Sequence, residues 1–141
     1  MAYLKPPALT RYLANPLAMR LSARGVATLT VAGRHTGKLR MVPVIPIEVA
    51  GHRYLVSPYG ESDWVRNLRA AGRGELTRKG KTEIFRATEV PAHERELIIA
   101  RYRQAAGRSV RPYFTKLPNP NDHPVFEVTE VHLPQEGSAS G

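Results

Sequence analysis

The sequence predicts an α+β fold, a small antiparallel β-barrel of about six strands with flanking helices. Three observations point there. The β-rich runs come in pairs joined by short glycine-bearing links at 33–37, 50–51 and 79–81. Such links close hairpins, whereas a parallel sheet needs crossovers of a dozen residues or more. Runs and helical stretches follow the order α, β, β, β, α, β, β, α, β, with no internal repeat. The length of 141 residues and the 42% hydrophobic content suit one domain with one core.

Residues 8–24 carry Leu9, Leu13, Leu17 and Leu21 at a helical spacing, and Pro16 should break the stretch into two short helices. Its basic face fits a helix packed on the barrel with solvated arginines, one lying on a membrane surface or one covering a ligand. Val26, Thr28, Leu29, Thr30 and Val31 predict a strand over 26–32. Gly33-Arg34-His35-Thr36-Gly37 turns the chain, because glycine supplies the positive φ of a tight hairpin. A second strand runs over 38–49. Pro43 and Pro46 inside it cannot donate to a ladder, so this strand is an edge or bends there. Tyr54, Leu55 and Val56 mark a third strand over 52–57.

The stretch 57–72 then reads as a loop feeding a helix. Ser62 is an N-cap type, Asp63 suits the first turn and Gly72 ends the helix. Trp64 and Leu68 share one face, and a lone tryptophan at this spacing belongs more often to a core than to a ligand platform. Residues 75–79 and 81–90 form the next hairpin, with Ile84 and Phe85 anchoring its second strand. A helix follows over about 92–106, with Leu97, Ile98 and Tyr102 as its apolar stripe. Residues 107–124 read as a polar, proline-rich loop, and 125–131 as a last strand. Residues 1–133 make the single domain in this reading, and 134–141 a flexible tail.

Composition narrows the chemistry. There is no cysteine, which excludes disulfides, thiolate nucleophiles and cysteine-ligated metal. No apolar run approaches the roughly 20 residues of a membrane span. Pro6, Pro7, Arg11 and Asn15 interrupt any signal-peptide core, so a cytoplasmic protein is expected. The five histidines lack paired ligand spacing, so no metal site is expected. Nucleophile elbows and phosphate-binding loops are missing, and Glu94 and Glu96 read as a solvated helix face. An enzyme of this composition would take its reactive group from a cofactor. The net charge is +9, from 21 Lys+Arg against 12 Asp+Glu. That balance favours an anionic partner: nucleic acid, anionic lipid, or a phosphorylated or carboxylated small molecule.

Two places could hold such an anion. Arg34, His35, Lys38 and Arg40 crowd one hairpin end, and no acidic residue precedes Glu48. The loop 57–62 leads into a helix N-terminus, whose N–H groups attract anions, although Glu61 and Asp63 would oppose one placed close by.

The run Gly33-Arg34-His35-Thr36-Gly37-Lys38-Leu39-Arg40-Met41-Val42-Pro43 resembles the Gly-Arg-x-[Ser/Thr]-Gly-x-x-Arg-x-x-Pro hairpin of the deazaflavin-dependent nitroreductase family. Trp64-Val65-Arg66-Asn67-Leu68-Arg69-Ala70 is similar to that family's Trp-x-x-Asn-Leu-[Lys/Arg]-Ala helix. The likeness extends over about residues 10–131. It implies a split β-barrel reductase of actinobacterial type that uses the deazaflavin coenzyme F-420. The resemblance further implies that Arg34, His35, Thr36, Gly37 and Arg40 hold the cofactor's phosphate and acidic tail, and that Met41, Val42 and Pro43 lie along its ring. Ser57, Tyr59, Gly60 and Ser62 would close on the cofactor, with Trp64 and Asn67 in support. Tyr113 and Phe114 would line the substrate side, with Tyr113 the candidate proton donor. The implied reaction passes hydride to a quinone, enone or nitroaromatic.

His35 stands where the family commonly has lysine. The short loop 57–62 carries Pro58, Tyr59 and Glu61 in place of a basic residue. FMN in a related split barrel is the alternative cofactor. A non-enzymatic cofactor or nucleic-acid binder is the alternative class, although specific nucleic-acid binding is not expected with so few strand aromatics. The partner is then a small molecule, and the chain a monomer or homodimer, with peripheral membrane contact through the basic N-terminal helix as an added option.

Overall fold

The computed structural model describes residues 25–131; the two expected N-terminal helices and the expected tail lie outside them. Seven strands form one sheet in the order β2-β1-β5-β6-β7-β4-β3. They are β1 (Ala27–Ala32), β2 (Leu39–Val44), β3 (Ile47–Val49), β4 (His52–Val56), β5 (Arg73–Arg78), β6 (Lys81–Glu89) and β7 (Val125–Glu130). Every neighbouring pair is antiparallel. The two edges, β2 and β3, are joined by Ile45-Pro46 alone, so the sheet must curl until its edges nearly meet. This is an α+β split barrel.

The expected second strand is therefore two strands on opposite edges, which raises the count from six to seven. Proline causes the break, because Pro46 has no N–H for a ladder. Pro43 stays inside β2, where only β1 pairs with it, opposite Thr28. The other hairpins follow the glycine signals. Lys79 and Gly80, with φ of 52° and 78°, make the tight turn between β5 and β6.

Two apolar clusters hold the fold. Leu29, Val31, Leu55, Leu68, Phe85 and Phe126 fill the barrel interior together with Trp64 and Val65 of α1 (Asp63–Ala71). The second cluster joins Ile47, Val56 and Val125 to Ile98, Ile99 and Tyr102 of α2 (Glu96–Ala106) and Phe114 of α3 (Arg111–Lys116). Leu97 is 70% exposed and leaves the expected stripe to Ile99.

The expected 107–124 loop is largely helical. A 3-10 turn over Gly107–Val110 leads into α3, and a second covers Pro120–Asp122. Pro112 sits in the first turn of α3, where a missing N–H costs nothing. Val110 and Phe114 supply a buried pair one turn apart. Among the described residues no helix is long and apolar enough to cross a membrane.

Candidate functional site

The β1–β2 hairpin tip is built from its own backbone. Gly33 N–H donates to the Lys38 carbonyl and Gly37 N–H to the Gly33 carbonyl, both at 2.8 Å. Thr36 Oγ1 accepts from Lys38 N–H at 3.2 Å, so this hydroxyl shapes the turn. Arg40 lies across Gly33, where a Cβ would stand 3.7 Å from its Nε. The tip is anchored to α1 by Asn67, which is 5% exposed. Asn67 Oδ1 accepts from Arg34 N–H at 3.1 Å and from Arg34 Nη1 at 2.8 Å. Arg34 Nη2 also reaches Asp63 Oδ1 at 3.5 Å. Thus Asp63, expected to oppose an anion, instead faces a guanidinium. His35, Lys38 and Arg40 are exposed and enter no ion pair among the described residues.

Beside these cations, β2 turns Val42 into the core and leaves Leu39 65% and Met41 54% exposed. Apolar surface edged by cations on an edge strand offers a planar anionic molecule both stacking area and counter-charge.

The loop 57–62 is held from three sides. Ser57 Oγ donates to the Gly60 carbonyl at 2.7 Å. Ser57 N–H donates to the Pro124 carbonyl at 3.0 Å. His123 Nδ1 lies 2.9 Å from the Ser57 carbonyl. Gly60 takes φ of +81°, which a side chain would strain. Ser62 occupies the N-cap position, but its hydroxyl makes no capping bond. It is buried, 2% exposed, and without a partner among the described residues. Arg66 Nε, one turn further along α1, is open in the same way. Buried polar groups are nearly always paired, and these two at the start of α1 are open among the described residues.

The remaining expected site residues divide. Tyr59 and Tyr113 meet edge-to-face with ring centres 4.7 Å apart, which brings the expected cofactor and substrate sides into contact. Trp64 is core, tilted against Phe126 at 6.1 Å. Phe114 is buried and stacked on His123 at 4.1 Å, away from a lining position.

Sequence reasoning missed two parts of the support. Glu61, expected to repel an anion, is clamped by Arg69 through bonds of 2.8 and 2.9 Å. The hydrogen bonds from Arg69 hold the Glu61 carboxyl below the usual glutamate range. Arg69 also grips Glu89 at 2.7 and 2.8 Å. Glu89 in turn meets the buried Arg95 at 3.3 Å. Burial lowers the Arg95 guanidinium, while Glu89 partly offsets it. The second missed residue is His123, a lone histidine in a stretch read as loop. The spacing of i, i+8 between Glu61 and Arg69 was the sole signal for the network, and it is not a helical contact distance.

At the opposite end of β1, a cavity of about 520 Å³ opens between Ala27, Pro46, Ile47, Arg53, Lys79 and Glu83. An Arg53–Glu83 ion pair sits in its wall. No cluster of three or more potential metal ligands occurs among the described residues.

Fold and site together define a split barrel whose cationic hairpin tip is pinned to a helix N-terminus. Residues 8–117 match the family model of the F420H(2)-dependent quinone reductases, and the chain belongs to that family. An F420-H2 dependent reductase, FDR-A, is 25% identical, with a TM-score of 0.53 over 75% of this chain and 95% of its own. Atu2129 of Agrobacterium tumefaciens, of unknown function, is 21% identical with a TM-score of 0.58. The match covers 89% of this chain but spans only 59% of that protein. The heme storage protein HutZ of Vibrio cholerae shares the fold at 13% identity and a TM-score of 0.55, over 84% of this chain and 91% of its own. No curated protein sequence matches the chain.

Proposed function

We propose that the chain is an F-420-dependent reductase acting on an electron-poor small molecule: a quinone, an enone or a nitroaromatic. The carrying observation is the concentration of unpaired donors and cations around the hairpin tip and the start of α1. They fit a phosphorylated, acidic-tailed cofactor. Arg34, His35, Thr36, Gly37 and Arg40 would hold the phosphate and tail, and the exposed edge Met41 to Pro43 would lie along the ring. Ser57, Tyr59, Gly60 and Ser62 would close over it, with Trp64 and Asn67 in support. Bound reduced F-420 supplies the hydride. The protein's part is orientation, exclusion of water and a proton, for which Tyr113 is the candidate donor.

The family match and the FDR-A likeness both name F-420, and neither gives FMN any support. In this reading residues 1–133 form the single domain and 134–141 a tail. Any membrane contact falls to the basic stretch 8–24. One neighbour at 22% identity is described as a domain-swapped dimer, which makes a homodimer the alternative to a monomer. The test is oxidation of reduced F-420 by the pure protein with a representative quinone, enone and nitroaromatic. Turnover with at least one class is expected. Binding of F-420 with no turnover on any class would turn the reading into a cofactor carrier.

A further inference from the structure

His123 is fully buried, and both its ring nitrogens face carbonyl oxygens. Nδ1 stands 2.9 Å from the Ser57 carbonyl, and Nε2 stands 2.6 Å from the Leu117 carbonyl. A carbonyl can only accept, so each contact needs an N–H from the ring. The neutral imidazole has one N–H and the imidazolium has two. Only the charged ring satisfies both partners; in the neutral ring one contact sets a lone pair against a carbonyl oxygen at hydrogen-bond range.

The two carbonyls belong to different walls of the site. Ser57 opens the loop 57–62, and Leu117 caps α3, which carries Tyr113. Tyr59 of that loop and Tyr113 are the pair already in edge contact. We propose that His123 is the positioning residue that holds the cofactor-side loop against the substrate-side helix, and that it does so fully only as the imidazolium. The inference rests on the reductase reading for its functional meaning, while its structural content stands without it.

Phe114 of α3 stacks on the His123 ring with centres 4.1 Å apart, and Arg103 of α2 covers the Phe114 ring at 4.8 Å. Tyr102 of α2 also packs on Phe114, and burial holds its hydroxyl protonated. Arg95 points Nη1 at the His123 carbonyl from 3.4 Å, and Asp122 precedes the histidine in the chain. Among the described residues the charged side chains that contact His123 or its stacking partner, Arg95 and Arg103, are thus cations, so the imidazolium depends on its two carbonyl acceptors. With those bonds, raising the pH removes one donor and loosens one wall from the other.

The test uses nitrogen-15 NMR of the His123 ring and the 57–62 amides in the cofactor-free protein, from about pH 5 to pH 8. Expected are two protonated ring nitrogens at the acid end. Loss of one proton should then move together with the Ser57–Ser62 amide signals. In parallel, F-420 affinity is measured across the same range for the wild type and for His123→Gln, whose amide offers two N–H groups at every pH. The wild type should lose about fivefold more affinity than His123→Gln as the pH rises, the worth of one buried hydrogen bond. Titration of the cofactor itself is common to both proteins. A ring that carries one proton throughout, or equal pH profiles for the two proteins, overturns the inference. If the wild type binds no F-420, the reductase reading falls, and the NMR titration alone decides the role of His123.

Discussion

Asn67→Ala is the sharpest perturbation of the site's framework. Asn67 Oδ1 takes two bonds from one residue on another element, the Arg34 amide at 3.1 Å and the Arg34 guanidinium at 2.8 Å. A neutral hydrogen bond contributes about 1 kcal/mol and one from a charged donor about 1.5–3 kcal/mol. The Arg34 side chain is 24% exposed, so water replaces part of the second term. The expected loss is about 2–3 kcal/mol, against ±0.5 kcal/mol for an ordinary surface change. Urea unfolding of wild type and variant measures it as a shift of midpoint at unchanged slope. Hydrogen exchange of the Gly33–Lys38 amides should speed up more than that of the β5–β6 ladder, because the tip loses both Asn67 bonds and keeps only the longer Arg34–Asp63 contact to α1. A change below 0.5 kcal/mol with unaltered tip exchange would refute the idea that Asn67 pins the hairpin.

Further outcomes follow from the same geometry. Glu61→Gln should cost about 1–2 kcal/mol at neutral pH by removing the charge that Arg69 clamps. Because the folded-state value of Glu61 is lowered, its contribution is present above the unfolded range near pH 4.3. It is lost as the pH falls through that lowered value, so acid unfolding curves of the two proteins should converge there. Gly74→Ala places a Cβ 3.0 Å from the Thr30 carbonyl and 3.1 Å from the Phe85 ring. With backbone on one side and a core ring on the other, the melting temperature should fall by an amount equivalent to about 1–3 kcal/mol.

Much of the architecture was legible from backbone chemistry. Glycine and proline punctuation located the turns at 33–37 and 79–80 and left an edge or a bend for the strand over 38–49, of which β2 proves to be an edge. It failed where one signal had two meanings. Pro46 separates two edges of the sheet where the pattern suggested a bent strand. Pro112 starts a helix where proline content suggested a loop. The hairpin motif and the Trp64–Asn67 spacing did point at elements that meet, through Arg34 and Asn67.

What stayed hidden were partnerships set by tertiary packing. Glu61 and Asp63 looked repulsive in one dimension because the arginine of one lies two turns along α1 and that of the other in the β1–β2 hairpin turn. Ser62 has the right residue type for a cap, yet its hydroxyl is left open. No local rule foretells that, and it is the kind of departure expected where a site is kept for a ligand.

The most direct test of the central claim is calorimetric titration of F-420 into the wild type and Arg40→Ala. Arg40 is exposed at the tip and outside every ion pair among the described residues, so its removal should leave stability unchanged. Saturable binding by the wild type, weakened in the variant by about 1.5–3 kcal/mol, is the predicted result. No binding by the wild type, or equal affinity in the two proteins, would contradict the placement of the cofactor on this hairpin.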